Sequence, residues 1–111
     1  MSLSDWYVGE TKAFYGTITF NGTSPDISSD TVKLILKSNK SDLDSQAVLD
    51  TNSSMAASGS LGIYYFDINP SETADVTPSS YFYELIWNTS SGNEYILEQS
   101  QINLKSRVED V

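Results

Sequence analysis

An all-β fold of two packed sheets is what this chain of 111 residues predicts, and three observations carry that reading. Apolar and aromatic residues recur at every second position in several short runs, the period of a strand with one buried face. Those runs number about seven and are separated by clusters of Gly, Pro, Asn, Asp and Ser, and no stretch repeats its apolar residues at helical spacing. The most strongly alternating run, 81–87, follows a short crossover bracketed by Pro70 and Pro78. A crossing with an apolar plug, here Val76, and then a tyrosine, here Tyr81, is the pattern of a tyrosine corner between the sheets of a sandwich.

Taken in order, Trp6, Tyr7 and Val8 lead into Gly9-Glu10-Thr11, a kink before a second extended run at 12–20. The two pieces are expected to lie along one edge. In the second run Phe14, Ile18 and Phe20 share a face with Gly16 between them, and Tyr15, Thr17 and Thr19 share the other. NGTSPD at 21–26 is a turn by composition, because Asn-Gly favours a tight hairpin turn and Pro25 removes a donor that a continuing strand would need. Residues 31–37 alternate cleanly, with Val32, Leu34 and Leu36 one way and Lys33 and Lys37 the other, as a strand with one wet face requires.

SNKSDLDSQ at 38–46 reads as a loop, 47–49 as a short apolar piece, and 51–60, which lacks periodicity, as a mobile loop or weak edge. The run IYYFDI at 63–68 is a strand with Tyr64, Phe66 and Ile68 inward. The segment after Pro70 has room for a single helical turn and no stable helix. The central strand then turns Tyr81, Tyr83, Leu85 and Trp87 to one face and Phe82, Glu84 and Ile86 to the other. NTSSGN at 88–93 is a hairpin turn with Gly92 at positive φ. Its partner strand spans 94–104, and Glu98-Gln99-Ser100-Gln101 interrupts the apolar alternation there, predicting a bulge or a break. Residues 1–5 carry no signal-peptide features and are expected to be a disordered or vector-derived leader, with 6–111 forming one domain.

The order VGETKAF, TVKLILKS, a small acidic loop, GIYYFDI, SETADVTPSSYFYELIW, SGNEY and INLKSRVEDV resembles the immunoglobulin-like domains of tailed-phage and prophage virion proteins, such as the N-terminal domain of upper baseplate proteins. The resemblance spans residues 8–111. Its most specific part is Thr73 followed by an apolar plug, a Pro turn and the Tyr-x-Tyr strand, with a Gly turn and a terminal Glu-Asp-Val. The chain departs from the family at Ser79-Ser80 and at Ser100, where Gly is usual, and these departures bear on loop geometry. The resemblance implies an immunoglobulin-like two-sheet β-sandwich made in the bacterial cytoplasm. Its place would be a virion, in the tail, baseplate or head-tail region, as a non-enzymatic assembly module that contacts other virion proteins and further copies of itself.

The chain contains neither His nor Cys, which excludes a Ser-His-Asp triad, a Cys-His dyad, a typical zinc site and any disulfide. A net charge of -9 repels a phosphate backbone, so nucleic acid is not an expected partner. No apolar run approaches the roughly 20 residues of a membrane-spanning helix, and no membrane partner is expected. Paired carboxylates hydrolyse glycosides, and Asp67, Glu72, Asp75 and Glu84 are close in sequence. Alternation nevertheless puts Asp67 and Glu84 on outer faces, and Glu72 and Asp75 in a turn, so no catalytic residue is assigned. Asn39, Ser41, Asp42 and Asp44 offer oxygens at near-alternate positions, as a calcium loop does at its start. The downstream Gly and bidentate Glu are missing, so no metal and no cofactor are assigned.

Trp6, Tyr7, Tyr15, Tyr65, Phe82 and Tyr95 are at positions from which several can face outward. Planar rings on a sheet face form a sugar platform, which gives an alternative reading as a carbohydrate-binding or adhesive module with a glycan as partner. Rings at strand spacing more often serve the core or cross-strand packing, and an outward patch also suits a protein interface. The sequons at Asn21, Asn39, Asn52 and Asn88 matter only in a glycosylating host. Circular dichroism should give a β-dominated spectrum with little helix, and a helix content above roughly a third, the soluble-protein average, would overturn the fold class.

Overall fold

The computed structural model describes residues 5–53 and 62–108. Among them are strands β1 (Trp6–Tyr7), β2 (Lys12–Thr17), β3 (Thr31–Lys37), β4 (Leu49–Asn52), β5 (Ile63–Ile68), β6 (Ser79–Asn88) and β7 (Glu94–Lys105), a helical turn α1 (Pro70–Thr73) and a 3₁₀ turn (Asp44–Gln46). The strands form a five-stranded mixed sheet, β1-β7-β6-β3-β4, and a two-stranded antiparallel sheet, β2-β5. Among the described strands only β1 pairs in parallel, placing Trp6 beside Leu104 and Tyr7 beside Lys105. The result is a mostly β, sandwich-like architecture with an apolar core between the sheets.

The core follows the alternation. On β6, the middle strand of the larger sheet, Tyr81, Tyr83, Leu85 and Trp87 are all buried. They are joined by Val32, Leu34 and Leu36 of β3 and by Ile102 and Leu104 of β7, and they meet Tyr64, Phe66 and Ile68 of β5. Full burial of one such side chain contributes roughly 1.5–3 kcal/mol, so the inner faces of these strands supply most of the driving force. The outer face of β3 is less wet than its lysines suggest. Ile35, flanked in register by Asp50 and Glu84, is buried, and Lys33 Nζ pairs with Asp50 Oδ2 at 3.2 Å.

Several expectations are corrected. The runs on either side of Gly9 do not share an edge: β1 belongs to the larger sheet and β2 to the smaller. Gly9 adopts φ 73°, a left-handed turn open to glycine without steric cost, and this swings the chain from one sheet to the other. The second run ends as a strand at Thr17, and after Ile18 the chain leaves β5. Phe20 then bridges Thr23 across Asn21-Gly22, the predicted tight turn, beyond the end of β2, where it is partly exposed with its ring against buried Trp87. Strand β4 takes in Thr51 and Asn52 from the tract read as loop or weak edge, and residues 54–60 of that tract lie outside the described residues.

The partner hairpin strand β7 runs unbroken. Its bulge lies just before the expected place: Leu85 pairs with Glu98 and Ile86 with Ile96, leaving Leu97 as the extra residue. Glu98 and Ser100 occupy inner-face positions beside Leu85 and Tyr83, yet Glu98 is only half-buried and Ser100 exposed. The polar interruption therefore marks an inner face that the narrower sheet leaves uncovered, and not an end of pairing. Gly92, at φ 95°, makes the predicted turn between β6 and β7.

The passage at Gly9 is locked from across the molecule, because its N–H donates to Oγ1 of the fully buried Thr73 at 2.9 Å. Thr73→Val keeps the shape and leaves that N–H unpaired, which costs roughly 1–3 kcal/mol. At about 4–8 °C per kcal/mol for a domain of this size, a thermal melt should show a clear drop in Tm. Thr73→Ser, which restores the acceptor, should recover much of it. An unchanged Tm for Thr73→Val would show that this bond does not hold the crossing.

Candidate functional site

Four carboxylates lie in the crossover or on the strands that flank it. Asn69 precedes α1, and its N–H donates to Glu72 Oε2 at 2.7 Å, so Glu72 closes a capping box. Asp75 is exposed, Asp67 projects from the outer face of β5, and Glu84 on β6 accepts a bond from Gln99 Nε2 at 2.8 Å. Asp67 and Glu84 belong to different sheets, and the carboxylates are spread over two sheets and a turn, with no common cleft. Tyr81 completes the corner: its hydroxyl donates to the Thr77 carbonyl, and burial raises its pKa. Half-buried Val76 packs against the core as the plug.

The acidic loop is a braced turn. Asp42 Oδ2 accepts the Asn39 N–H at 3.2 Å, Lys37 Nζ donates to the Asp42 carbonyl at 2.9 Å, and the Leu43 N–H donates to Gln46 Oε1 at 2.9 Å. Asp42 spends its carboxylate on the loop's own backbone. Ser41 is exposed, and Asp44 begins the 3₁₀ turn. Among the described residues, no group of three or more acidic side chains is arranged to hold a metal ion.

The aromatics divide by place. Trp6 is a core residue at 1% exposure, with the Lys12 ammonium 5.6 Å from its ring, and its Nε1 has no partner among the described residues. Phe82 is half-buried under Lys40, and Tyr7 is exposed beside Lys105. Tyr15 and Tyr65 are cross-strand partners on the outer face of the smaller sheet, 60% and 40% exposed, with centroids 6.0 Å apart. Tyr95 belongs to a cluster with Phe20 and Trp87, whose centroids lie 5.0–5.9 Å apart.

Two features had no sequence signal. Half-buried Asp30 accepts the Trp87 indole N–H at 2.8 Å and the Ser90 N–H at 2.9 Å, fastening the β6–β7 turn to the loop before β3. A lone aspartate ahead of a strand gives no hint of partners 57 and 60 residues away. The other is an opening of about 260 Å³ between β2 and β7, lined by Gly16, Ile18, Tyr64, Leu85, Leu97 and Glu98 among others. Tyr64 lies across Gly16 so closely that a β-carbon there would collide with its ring. Burial, and then the charge of Glu98, raise the Tyr64 pKa.

No protein-family model matches this chain, and no curated protein matches it either. Asp30→Ala should free both donors it holds. Bonds to a charged group contribute roughly 1.5–3 kcal/mol, and the loss should fall at the low end because water reaches Asp30. A red shift of Trp87 emission together with a modest drop in Tm is the expected result, and unchanged emission would show that the indole does not depend on Asp30.

Proposed function

We propose that this chain is an immunoglobulin-like β-sandwich that serves as a non-enzymatic structural and assembly module of a phage or prophage virion, acting through protein–protein contacts. The observation that carries the fold is the strand order. The run β7-β6-β3-β4 corresponds to G-F-C-C′ of an immunoglobulin sandwich and the pair β2-β5 to B-E, with a tyrosine corner at the entry to β6. The short β1, parallel to β7, takes the place of a first strand transferred to the larger sheet.

Assembly is supported by the surface. Exposed rings at Tyr7, Tyr15, Phe20, Tyr65 and Tyr95 and a strand edge on β2 are features that protein partners cover, since Tyr supplies much contact area for little entropy. The chemistry-bearing His and Cys are missing from the sequence. The virion setting, synthesis in the bacterial cytoplasm and partnership with other virion proteins rest on the resemblance of the sequence order to that family.

The glycan-binding alternative is favoured by one observation, the exposed Tyr15–Tyr65 pair on a flat sheet face. Trp6 and Trp87 are buried, so a sugar on those two tyrosines would go unseen by tryptophan quenching and has to be followed through the tyrosine resonances. In particles purified from a host carrying the gene, mass spectrometry should find this chain in fixed ratio to tail or baseplate proteins. Its absence from such particles, combined with saturable glycan shifts at Tyr15 and Tyr65 that Tyr15→Ala abolishes, would replace this reading with the alternative.

A further inference from the structure

We propose that the free edge of β2 is a self-association edge, at which a second copy of this chain adds its own β2 antiparallel and the two smaller sheets join across a two-fold axis. The proposal deepens the assembly reading and rests on it for its biological setting. It starts from the direction of the backbone groups. The Ile18 N–H bonds to the Gly62 carbonyl at 2.8 Å, continuing the β2–β5 register. Pairing direction alternates along an antiparallel strand, so Phe14 and Gly16 turn their groups toward β5, and Ala13, Tyr15 and Thr17 turn theirs to the other side. Among the described residues no strand pairs on that side.

Natural edges are blunted by lysine, proline, bulges or inward charges, and this one, KAFYGT, has a lysine only at its first position and no proline along its length. It also borders the opening of about 260 Å³ between the sheets, where among the described residues no strand of the smaller sheet lies over Glu98 and Leu97. A strand added to β2 would lie about 4.8 Å away, over that opening.

Charge and self-complementarity select a second copy as the occupant. Each chain carries a net charge of -9, so copies repel except where acidic groups are few, and β2 has no acidic residue. With the two-fold at Tyr15, Ala13 of each copy pairs with Thr17 of the other, and Tyr15 pairs with itself, so the three outward-turned residues meet one another. On the inner side Phe14 falls opposite Gly16, over which the Tyr64 ring of the facing chain lies, so the two rings meet at the joined edge. Lys12 of the second copy falls opposite Ile18, which lines the same opening as Glu98, so the added strand brings a basic residue to the end of the edge where this chain is acidic. On the outer side the most exposed ring, Tyr15, is covered, and four tyrosines form one row. An isologous pairing of this kind is closed and stops at two copies.

Sedimentation of the purified chain over a range of concentrations should show a reversible monomer–dimer equilibrium, with hydrogen exchange slowed at Ala13, Tyr15 and Thr17 in the dimer. Tyr15→Glu and Tyr15→Lys each set like charges face to face on the axis and should weaken dimerisation at least tenfold, with Tm and circular dichroism confirming the fold. Mixing the two variants should restore a dimer, which a merely structural role for Tyr15 would not produce. A wild-type chain that stays monomeric at millimolar concentration overturns the proposal, as does a dimer indifferent to both substitutions or an edge that protects only when a foreign extended peptide is added. A monomeric chain still found in purified particles would defeat this edge pairing and leave the assembly reading standing. A dimer absent from particles would do the reverse.

Discussion

One hydrogen bond, from the Gly9 N–H to the buried hydroxyl of Thr73, joins two of the four places where the chain passes from one sheet to the other. The first is the left-handed turn at Gly9, between β1 and β2. The second is the crossover through α1, between β5 and β6. A buried donor left without a partner costs more than a typical bond contributes, so each crossing constrains the other. The Tyr81 corner then fixes the angle at which the chain leaves the crossover, and everything inward of β6 depends on that angle. A helix of one turn would not persist alone, and here it is held by the Glu72 cap, the Thr73 bond and the Val76 plug together.

The second constraint is unequal width. Among the described residues five strands face two, so the core is thick under β3, β5 and β6 and thins out toward the middle of β7. Polar residues sit at inward positions there, and Gly16 lets Tyr64 lie flat across the edge of the core. At the β6–β7 turn a different device applies: Phe20, Trp87 and Tyr95 cap the end of the sandwich, with Asp30 satisfying the indole.

How far the sequence could be read follows from what is local. Alternation is a property of consecutive residues, and it assigned faces correctly at Val32, Leu34 and Leu36, at Tyr64, Phe66 and Ile68, and along β6 from Tyr81 to Trp87. Local turn chemistry was equally legible at Asn21-Gly22, Gly92 and Glu72. Alternation says which residues share a face and nothing about which sheet the strand joins, so the separation of β1 from β2 was out of reach. It also cannot tell a strand end from a strand whose inner face lacks a cover, which is why Glu98 and Ser100 suggested a break. Of the candidate rings, Trp6 proved to be core and Tyr15 and Tyr65 surface. All three sit in alternating runs, and only the position of the opposing sheet separates them.

The parallel pairing of β1 with β7 has a mechanical meaning. Asp5 accepts the Asn103 N–H at 2.8 Å, which lowers its pKa, and the Val8 N–H reaches the Lys105 carbonyl at 3.0 Å. Tension applied at residue 5 and at residue 108 would pull these two strands along their own axes in opposite directions. The bonds between them would then be loaded together in shear, instead of opening one after another as in a peeled hairpin. A domain strung between two anchored neighbours in this orientation would bear force through its shortest strand.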